Sequence, residues 1–193
     1  MQSPPTYPII EIFDSVQGEG LNIGRPATFI RFSGCNLRCP WCDTKYAWEE
    51  GKVLHIPEII TKINYSFVVL TGGEPTLYDL SPLIQAIRDN RPSYISIETN
   101  GTNAVSQGID WVVCSPKPGA EYAIKCKPNE LKYVVDSTFS ISSISEIYRE
   151  KIPIWLQPNS ENLDKNIAIC FDLVMNHDFL RLGVQLHKIY NVK

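Results

Sequence analysis

ATFIRFSGCNLRCPWCDT, Ala27 to Thr44, is the stretch that decides the fold. Its first half, Ala27–Ser33, is a β-rich run broken by one charge, Arg31. Its second half brings Cys35, Cys39 and Cys42 together directly after that run. A strand that empties into such a loop puts its chemistry at the carboxyl edge, where parallel α/β sheets carry their sites. Thiolates spaced this closely are poor disulfide partners for one another, yet they converge readily on one inorganic centre. Three close cysteines without an obvious fourth suit a cluster with one iron left open for a ligand, and an open iron means chemistry rather than electron storage.

Outward from this stretch, short β-rich runs recur: Ser66–Thr71, Tyr94–Thr99, Trp111–Ser115, Leu131–Asp136 and Ile154–Gln157. Several are nearly continuous apolar stretches, as strands buried on both faces require. Helices are predicted over Ile56–Ile63, with Pro57 in the first turn, and over Leu80–Arg88, with Asp79 as N-cap. Two more are predicted over Ile141–Glu150 and Asn162–Met175, before a last strand-like run, Leu182–His187. Alternating strand and helix imply a mostly parallel sheet with helical crossovers. The loops agree: Ser33 leads to the cysteines, Thr71 to GGEP, Glu98–Thr99 to NG, and Ser115 to PKPG. At 193 residues the chain is short for a full eight-stranded barrel of about 200–250 residues. The expectation is an α/β fold, a partial, open, abridged (β/α) TIM-like barrel forming one domain over residues 1–193.

Bulk properties narrow the function. The chain is 44% hydrophobic and 20% charged, with a net charge of −3, which gives no broad basic footprint for direct nucleic-acid binding. The start, MQSPPTYPIIEIF, lacks the pattern of a signal peptide, and no run approaches the ~20 apolar residues of a membrane span. Six cysteines raise the question of a disulfide framework, but the spacing and length are wrong for a small stapled scaffold. A reducing cytoplasm is expected, with no membrane partner.

Other residues bear on the site. Phe13–Gly20, FDSVQGEG, reads either as a Gly-rich turn or as a recognition loop in which Gln17 and Glu19 meet a hydrogen-bonding heterocycle. Arg31, inside an apolar run, calls for an anion. A structural zinc site would need a fourth ligand at short spacing. Cys114, Cys126 and Cys170 are scattered, and His55, His177 and His187 form no pair. Cys114 and Cys170 read as core thiols, whereas Cys126, in a Lys-flanked loop, is expected to be exposed.

The run C-x3-C-x2-C, with Trp41 before the last cysteine and GGEP (Gly72–Pro75) after the next strand, resembles the cluster loop of radical S-adenosylmethionine enzymes. VQGEG, RFSGCN, WCDT, TGGEP, ETNG, SPK, LQP and the terminal QLHK together resemble, over nearly the whole chain, the 7-carboxy-7-deazaguanine synthase family of the queuosine route of tRNA modification. The resemblance implies a fold of radical SAM type, a [4Fe-4S] cluster, S-adenosylmethionine and Mg2+. It implies a lyase reaction in which 6-carboxy-5,6,7,8-tetrahydropterin becomes 7-carboxy-7-deazaguanine by radical ring contraction with loss of ammonia. A flavodoxin- or ferredoxin-like electron donor and a homodimer are implied too. By the same resemblance Cys35, Cys39 and Cys42 hold the cluster and Thr44 the magnesium. Trp41, Cys42, Asp43, Gly73, Ser115, Pro116, Lys117, Gln157, Pro158 and Asn159 touch the cofactor. Val16, Gln17, Gly18, Arg31, Thr71 and His187 touch the substrate, with Glu19 a weaker candidate. Arg31 then has the pterin carboxylate as its anion, and Glu98 is assigned either to ribose hydroxyls or to a structural role. Lys193 is left out, because the YNVK end departs from the apolar, proline-ended versions. Two other readings stand beside this one: an activase of glycyl-radical enzymes, which shares the cysteine and GGEP motifs, and a non-enzymatic metal-binding module.

Overall fold

A computed structural model describes residues 5–117 and 123–193. Pro118 and Gly119 of the PKPG loop, and the first four residues of the N-terminal stretch, lie outside the described residues. Nine strands form one sheet: β1 (Thr6–Val16), β2 (Pro26–Phe32), β3 (Lys52–His55), β4 (Phe67–Gly72), β5 (Tyr94–Thr99), β6 (Trp111–Cys114), β7 (Glu130–Val135), β8 (Ile154–Pro158) and β9 (Leu180–Leu182). Their spatial order is β3-β1-β2-β4-β5-β6-β7-β8-β9. From β2 to β9 every pairing is parallel, while β1 pairs antiparallel with both β2 and β3. The sheet is open, with β3 and β9 as its edges. The expected mostly parallel α/β architecture is therefore present, extended on one side by a hairpin strand and a short edge strand.

Helices α1 (Ile56–Ile60), α2 (Ser81–Asn90) and α3 (Leu163–Asn176) supply crossovers, and α4 (Leu186–Ile189) closes the C-terminal segment. In α1, Pro57 sits in the first turn, where its missing N–H costs nothing, and Glu58 reaches back to the His55 amide at 2.8 Å. The α1 helix stops short of Ile63. Asp79 Oδ1 accepts from Ser81 N at 3.0 Å, so it caps α2 from one position outside the boundary residue Leu80.

Three sequence expectations are corrected. Ile141–Glu150 is not an α-helix but two single 3-10 turns, Ile141–Ser143 and Glu146–Tyr148. The Ser140 side chain accepts from Ser142 N, and Ser143 Oγ donates to Ser140 O at 2.7 Å, local bonds that compete with a helical ladder. Leu182–His187 is not a strand. The strand is Leu180–Leu182, Gly183 follows, and the chain turns into α4. Cys126 is also corrected: it is buried, beside Cys114.

Strand alternation divides the sheet's two faces. Ile30, Phe32, Leu70, Ile95, Ile97, Leu131, Tyr133, Val135, Ile154 and Leu156 belong to the main core, which also takes in Leu83, Ile84 and Ile87 of α2 and Cys170 of α3. The intervening residues, Phe29, Arg31, Thr71, Glu98, Lys132, Val134 and Gln157, line a cavity instead. A period of two thus places five charged or polar side chains, from five different strands, on the face opposite the core.

Candidate active site

The cavity holds about 270 Å³ and opens at the carboxyl ends of β2, β4, β5, β6 and β8. Register fixes its walls: Arg31 of β2 lies beside Thr71 of β4, and Val134 of β7 beside Gln157 of β8. Of the residues singled out in the sequence, Cys35, Cys39, Cys42, Trp41, Asp43, Thr44, Gly73, Ser115, Lys117, Gln157, Pro158 and Asn159 all line it. So do Val16, Gln17, Gly18, Glu19, Arg31, Thr71, Glu98 and His187; Pro116 does not.

At one end the three cysteines are half-buried and unpaired. The loop turns its own amides onto sulfur: Leu37 N donates to Cys35 Sγ and Thr44 N to Cys42 Sγ, each at 3.4 Å. Such N–H···S bonds are what holds and tunes thiolate-bound clusters. Burial raises the Cys35 thiol, and nearby Glu74 adds to it; burial raises Cys39 as well, against the pull of Lys117. Gly73 packs so tightly on this loop that a Cβ there would collide with Gly34 O. Glu74, fully buried, accepts from Thr76, from Thr99 Oγ1 at 2.7 Å and from Asn100 N at 2.6 Å, locking the GGEP loop to the end of β5. The donor set and its close-packed glycines fit an iron–sulfur cluster. Among the described residues, no three His, Cys, Asp or Glu side chains are arranged to hold a single metal ion.

The opposite walls carry charge. Arg31 Nε donates to Glu11 Oε1 at 2.9 Å, and its guanidinium stands 5.6 Å from both the Phe13 and Tyr46 rings. Its terminal nitrogens have no hydrogen-bond partner among the described residues. Lys193, which the sequence reading left out, pairs with Glu11, lies 4.9 Å over the Phe13 ring and lines the cavity. Phe13 is stacked on Phe29, centroids 5.0 Å apart and planes within 8°.

Across the cavity, Lys132 of β7 pairs with Glu19 and, at 3.2 Å, with Glu98. Gln17 Nε2 donates to Glu98 at 3.2 Å, and Gln185 Nε2 to Glu19 at 2.7 Å. Lys188 continues the chain to Gln185 and to Asp43 at 3.1 Å. Burial opposes ionisation of Asp43, but Lys188, Thr44 and Lys132 outweigh it and hold the carboxyl at about 2. Burial also lowers the His187 imidazole, favouring its neutral form. His187 lies against Gly18, whose carbonyl accepts from Leu186 N at 2.9 Å, so any Cβ at Gly18 would strike the imidazole. The residues that sequence reasoning missed are Lys132 and Glu130. Both sit on β7, and the signal was available for Lys132: like Arg31, it is a cation inside an apolar strand.

This fold and loop define a radical SAM protein, and the Radical SAM superfamily model matches residues 29–115. The chain is 42% identical over 96% of its length to a 7-carboxy-7-deazaguanine synthase of Bacteroides thetaiotaomicron, covering 98% of that protein. It is 36% identical to the enzyme of that name from Synechocystis, covering 97% of this chain and 94% of the relative. The crystal structure of QueE from Escherichia coli superposes with a TM-score of 0.76 at 29% identity, covering 94% of this chain and 95% of that one. The chain belongs to the 7-carboxy-7-deazaguanine synthase family. As a radical SAM enzyme it works with a [4Fe-4S] cluster and S-adenosylmethionine.

Proposed function

We propose that the chain converts 6-carboxy-5,6,7,8-tetrahydropterin to 7-carboxy-7-deazaguanine, with loss of ammonia, for 7-deazapurine and queuosine biosynthesis. One observation carries this reading: a single cavity joins the three-cysteine loop to two oppositely charged walls. The substrate has matching ends, a carboxylate and a guanidine-like aminopyrimidinone ring. Arg31, with Lys193 beside it, offers unspent guanidinium N–H groups to the carboxylate, the two-pronged match that arginine makes best. Gln17, Glu19 and Glu98 offer acceptors and an amide to the ring. Gly18 and Val16 form the wall beneath it, Thr71 adds a hydroxyl next to Arg31, and neutral His187 closes the side.

Cys35, Cys39 and Cys42 hold the cluster in this reading. When bound, the reduced cluster and S-adenosylmethionine supply a one-electron cleavage that yields a hydrogen-abstracting adenosyl radical. Trp41, Asp43, Gly73, Ser115, Lys117, Gln157, Pro158 and Asn159 hold the cofactor, with Pro116 shaping the Ser115–Lys117 backbone from outside the cavity. Thr44 Oγ1, 3.0 Å from Asp43 Oδ1, belongs to an oxygen-rich corner of the kind Mg2+ takes, with water and substrate completing the shell. An external flavodoxin- or ferredoxin-like donor supplies the electron. Residues 1–193 act as one domain in the cytoplasm, a setting that suits six free thiols. The protein works as a homodimer, supported by an exposed apolar stripe on α3, where Leu163, Ile167, Phe171 and Met175 recur every fourth residue. Among the described residues no helix is long and apolar enough to cross a membrane.

The test is anaerobic turnover. Cluster-loaded protein with a reductant, S-adenosylmethionine, Mg2+ and the carboxytetrahydropterin is expected to release 7-carboxy-7-deazaguanine and ammonia in equal amounts. Absence of product from fully loaded protein would overturn the reading.

A further inference from the structure

We propose that Lys132 is a positioning residue for the pterin: its ammonium clamps Glu19 and Glu98 together as one fixed pair of acceptors for the donor edge of the aminopyrimidinone ring. The inference rests on the function proposed above and deepens it.

The two carboxylates come from places with no local reason to meet. Glu19 lies in the turn after β1, and Glu98 is on β5. Lys132 reaches both, with Glu98 Oε2 at 3.2 Å. Each carboxylate gives one oxygen to the ammonium and the other to an amide, Gln185 Nε2 on Glu19 at 2.7 Å and Gln17 Nε2 on Glu98 at 3.2 Å. An ionised carboxylate has about four lone-pair sites. Each therefore keeps acceptor capacity after its protein bonds are made, and both line the cavity. The side chains of all three are largely buried, at 18%, 13% and 18% exposure for Lys132, Glu19 and Glu98. Two carboxylates buried side by side do not both stay ionised without a cation between them. Lys132 is that cation, and with three N–H donors and no acceptor it satisfies both partners at once. A merely structural ion pair would need one carboxylate; the second leaves the group net negative, which suits a guanidine-like ring edge rather than charge neutrality.

The charges facing this pair come from several elements: His187 and Lys188 of α4, Asp43 of the cysteine loop, Lys117 after β6, and Glu130 of β7. Among them, burial pushes Glu98 upward, with Glu19 adding and Lys132 opposing, while Lys132 and the Gln185 bond hold Glu19 down against its own burial. Without the ammonium the two buried carboxylates face each other uncompensated, and the pair takes up a proton at higher pH.

Lys132→Met, cluster-loaded, tests the idea against wild type by two readouts. Equilibrium binding of the carboxytetrahydropterin to the oxidised, S-adenosylmethionine-bound protein should weaken at least about tenfold. The acid limb of the kcat/KM profile should move upward by a pH unit or more, while iron content and S-adenosylmethionine affinity stay at wild-type levels. Lys132→Arg should recover most of the binding. Unchanged pterin affinity and an unmoved acid limb in Lys132→Met would overturn the inference while wild-type turnover leaves the proposed function standing. Inactive but loaded wild type would instead strike the proposed function. If Lys132→Met does not fold, Lys132→Gln carries the same expectations, and failure of both to fold would mark Lys132 as a structural ion and overturn the positioning role.

Discussion

Glu130 of β7 and Trp155 of the neighbouring β8, two register positions off the direct pair Lys132–Trp155, are joined by a hydrogen bond, with the indole N–H donating to Glu130 Oε2 at 2.7 Å. The same carboxylate takes Trp111 Nε1 at 3.0 Å and the Leu21 amide at 3.0 Å, at only 1% exposure. A buried acid with three N–H donors is a keystone for the turn that follows Glu19. Glu130→Ala leaves three donors without acceptors. At about 1–3 kcal/mol for each stranded group, partly relieved by water, a loss of roughly 3–5 kcal/mol is expected in denaturant unfolding, with raised KM for the pterin in the folded fraction. Glu130→Gln, which keeps one acceptor, is expected to lose about half as much.

Gly73 has no room for a side chain, since the obstacle is the Gly34 backbone and not a flexible tip. Gly73→Ala must shift the cysteine loop or the GGEP loop. A stability loss of about 1–3 kcal/mol is expected from the overpacking. Isothermal titration of anaerobic protein should show S-adenosylmethionine affinity falling tenfold or more.

The six thiols should divide cleanly. Replacing Cys35, Cys39 or Cys42 by Ala is expected to reduce reconstituted iron and sulfide to a small fraction of wild type and to abolish deoxyadenosine formation. Replacing the core thiols Cys114, Cys126 or Cys170 removes a small buried side chain, and for Cys114 and Cys126 their mutual weak S–H···S bond, with a cost of about 1 kcal/mol and a full visible cluster spectrum.

Arg31 spends its Nε on Glu11 and leaves its fork for the ligand. Arg31→Lys keeps the charge and the Glu11 partner but loses the second prong. The KM for the pterin should rise about tenfold, equivalent to about 1.4 kcal/mol, with cofactor binding unchanged. A des-carboxy pterin should bind wild type and variant equally.

Glu11 gives an acid-sensitive contribution to stability. Burial works against its ionisation, but Lys193, Arg31 and Tyr46 outweigh it and lower its pKa below 4.5. A carboxylate depressed in the folded state stabilises the fold at pH above the unfolded value and loses that contribution as pH falls through the folded one. The unfolding free energy of Glu11→Gln should therefore lie below wild type at pH 7, and the gap should close as the pH falls below about 4.

The parallel sheet was legible because its strands are apolar runs ended by Gly or Pro loops, and the cavity residues followed from the loops at their carboxyl ends. Strand β1 was not, because FDSVQGEG carries glycines and charges that read as a turn, and only pairing with β2 makes Phe13–Val16 extended. The serines around Ile141 defeated a helical period that the apolar spacing suggested. Lys132 stands out as a cation inside an apolar strand, but what it and Glu130 bind was hidden for a different reason: their partners, Glu19, Glu98, Trp111 and Trp155, lie at distances along the chain that only sheet order brings together. Cys126 looked exposed because lysines flank it, yet it lies against the Cys114 thiol.

The bonds Gln185–Glu19 and Leu186–Gly18 join segments far apart along the chain, 166 residues in the first case. Ring closure over such a span is among the slowest events in folding. A nascent chain still on the ribosome could finish most of its sheet while its catalytic chamber stayed without a rear wall, so competence to take up substrate arrives only once the segment carrying Gln185 and Leu186 has emerged.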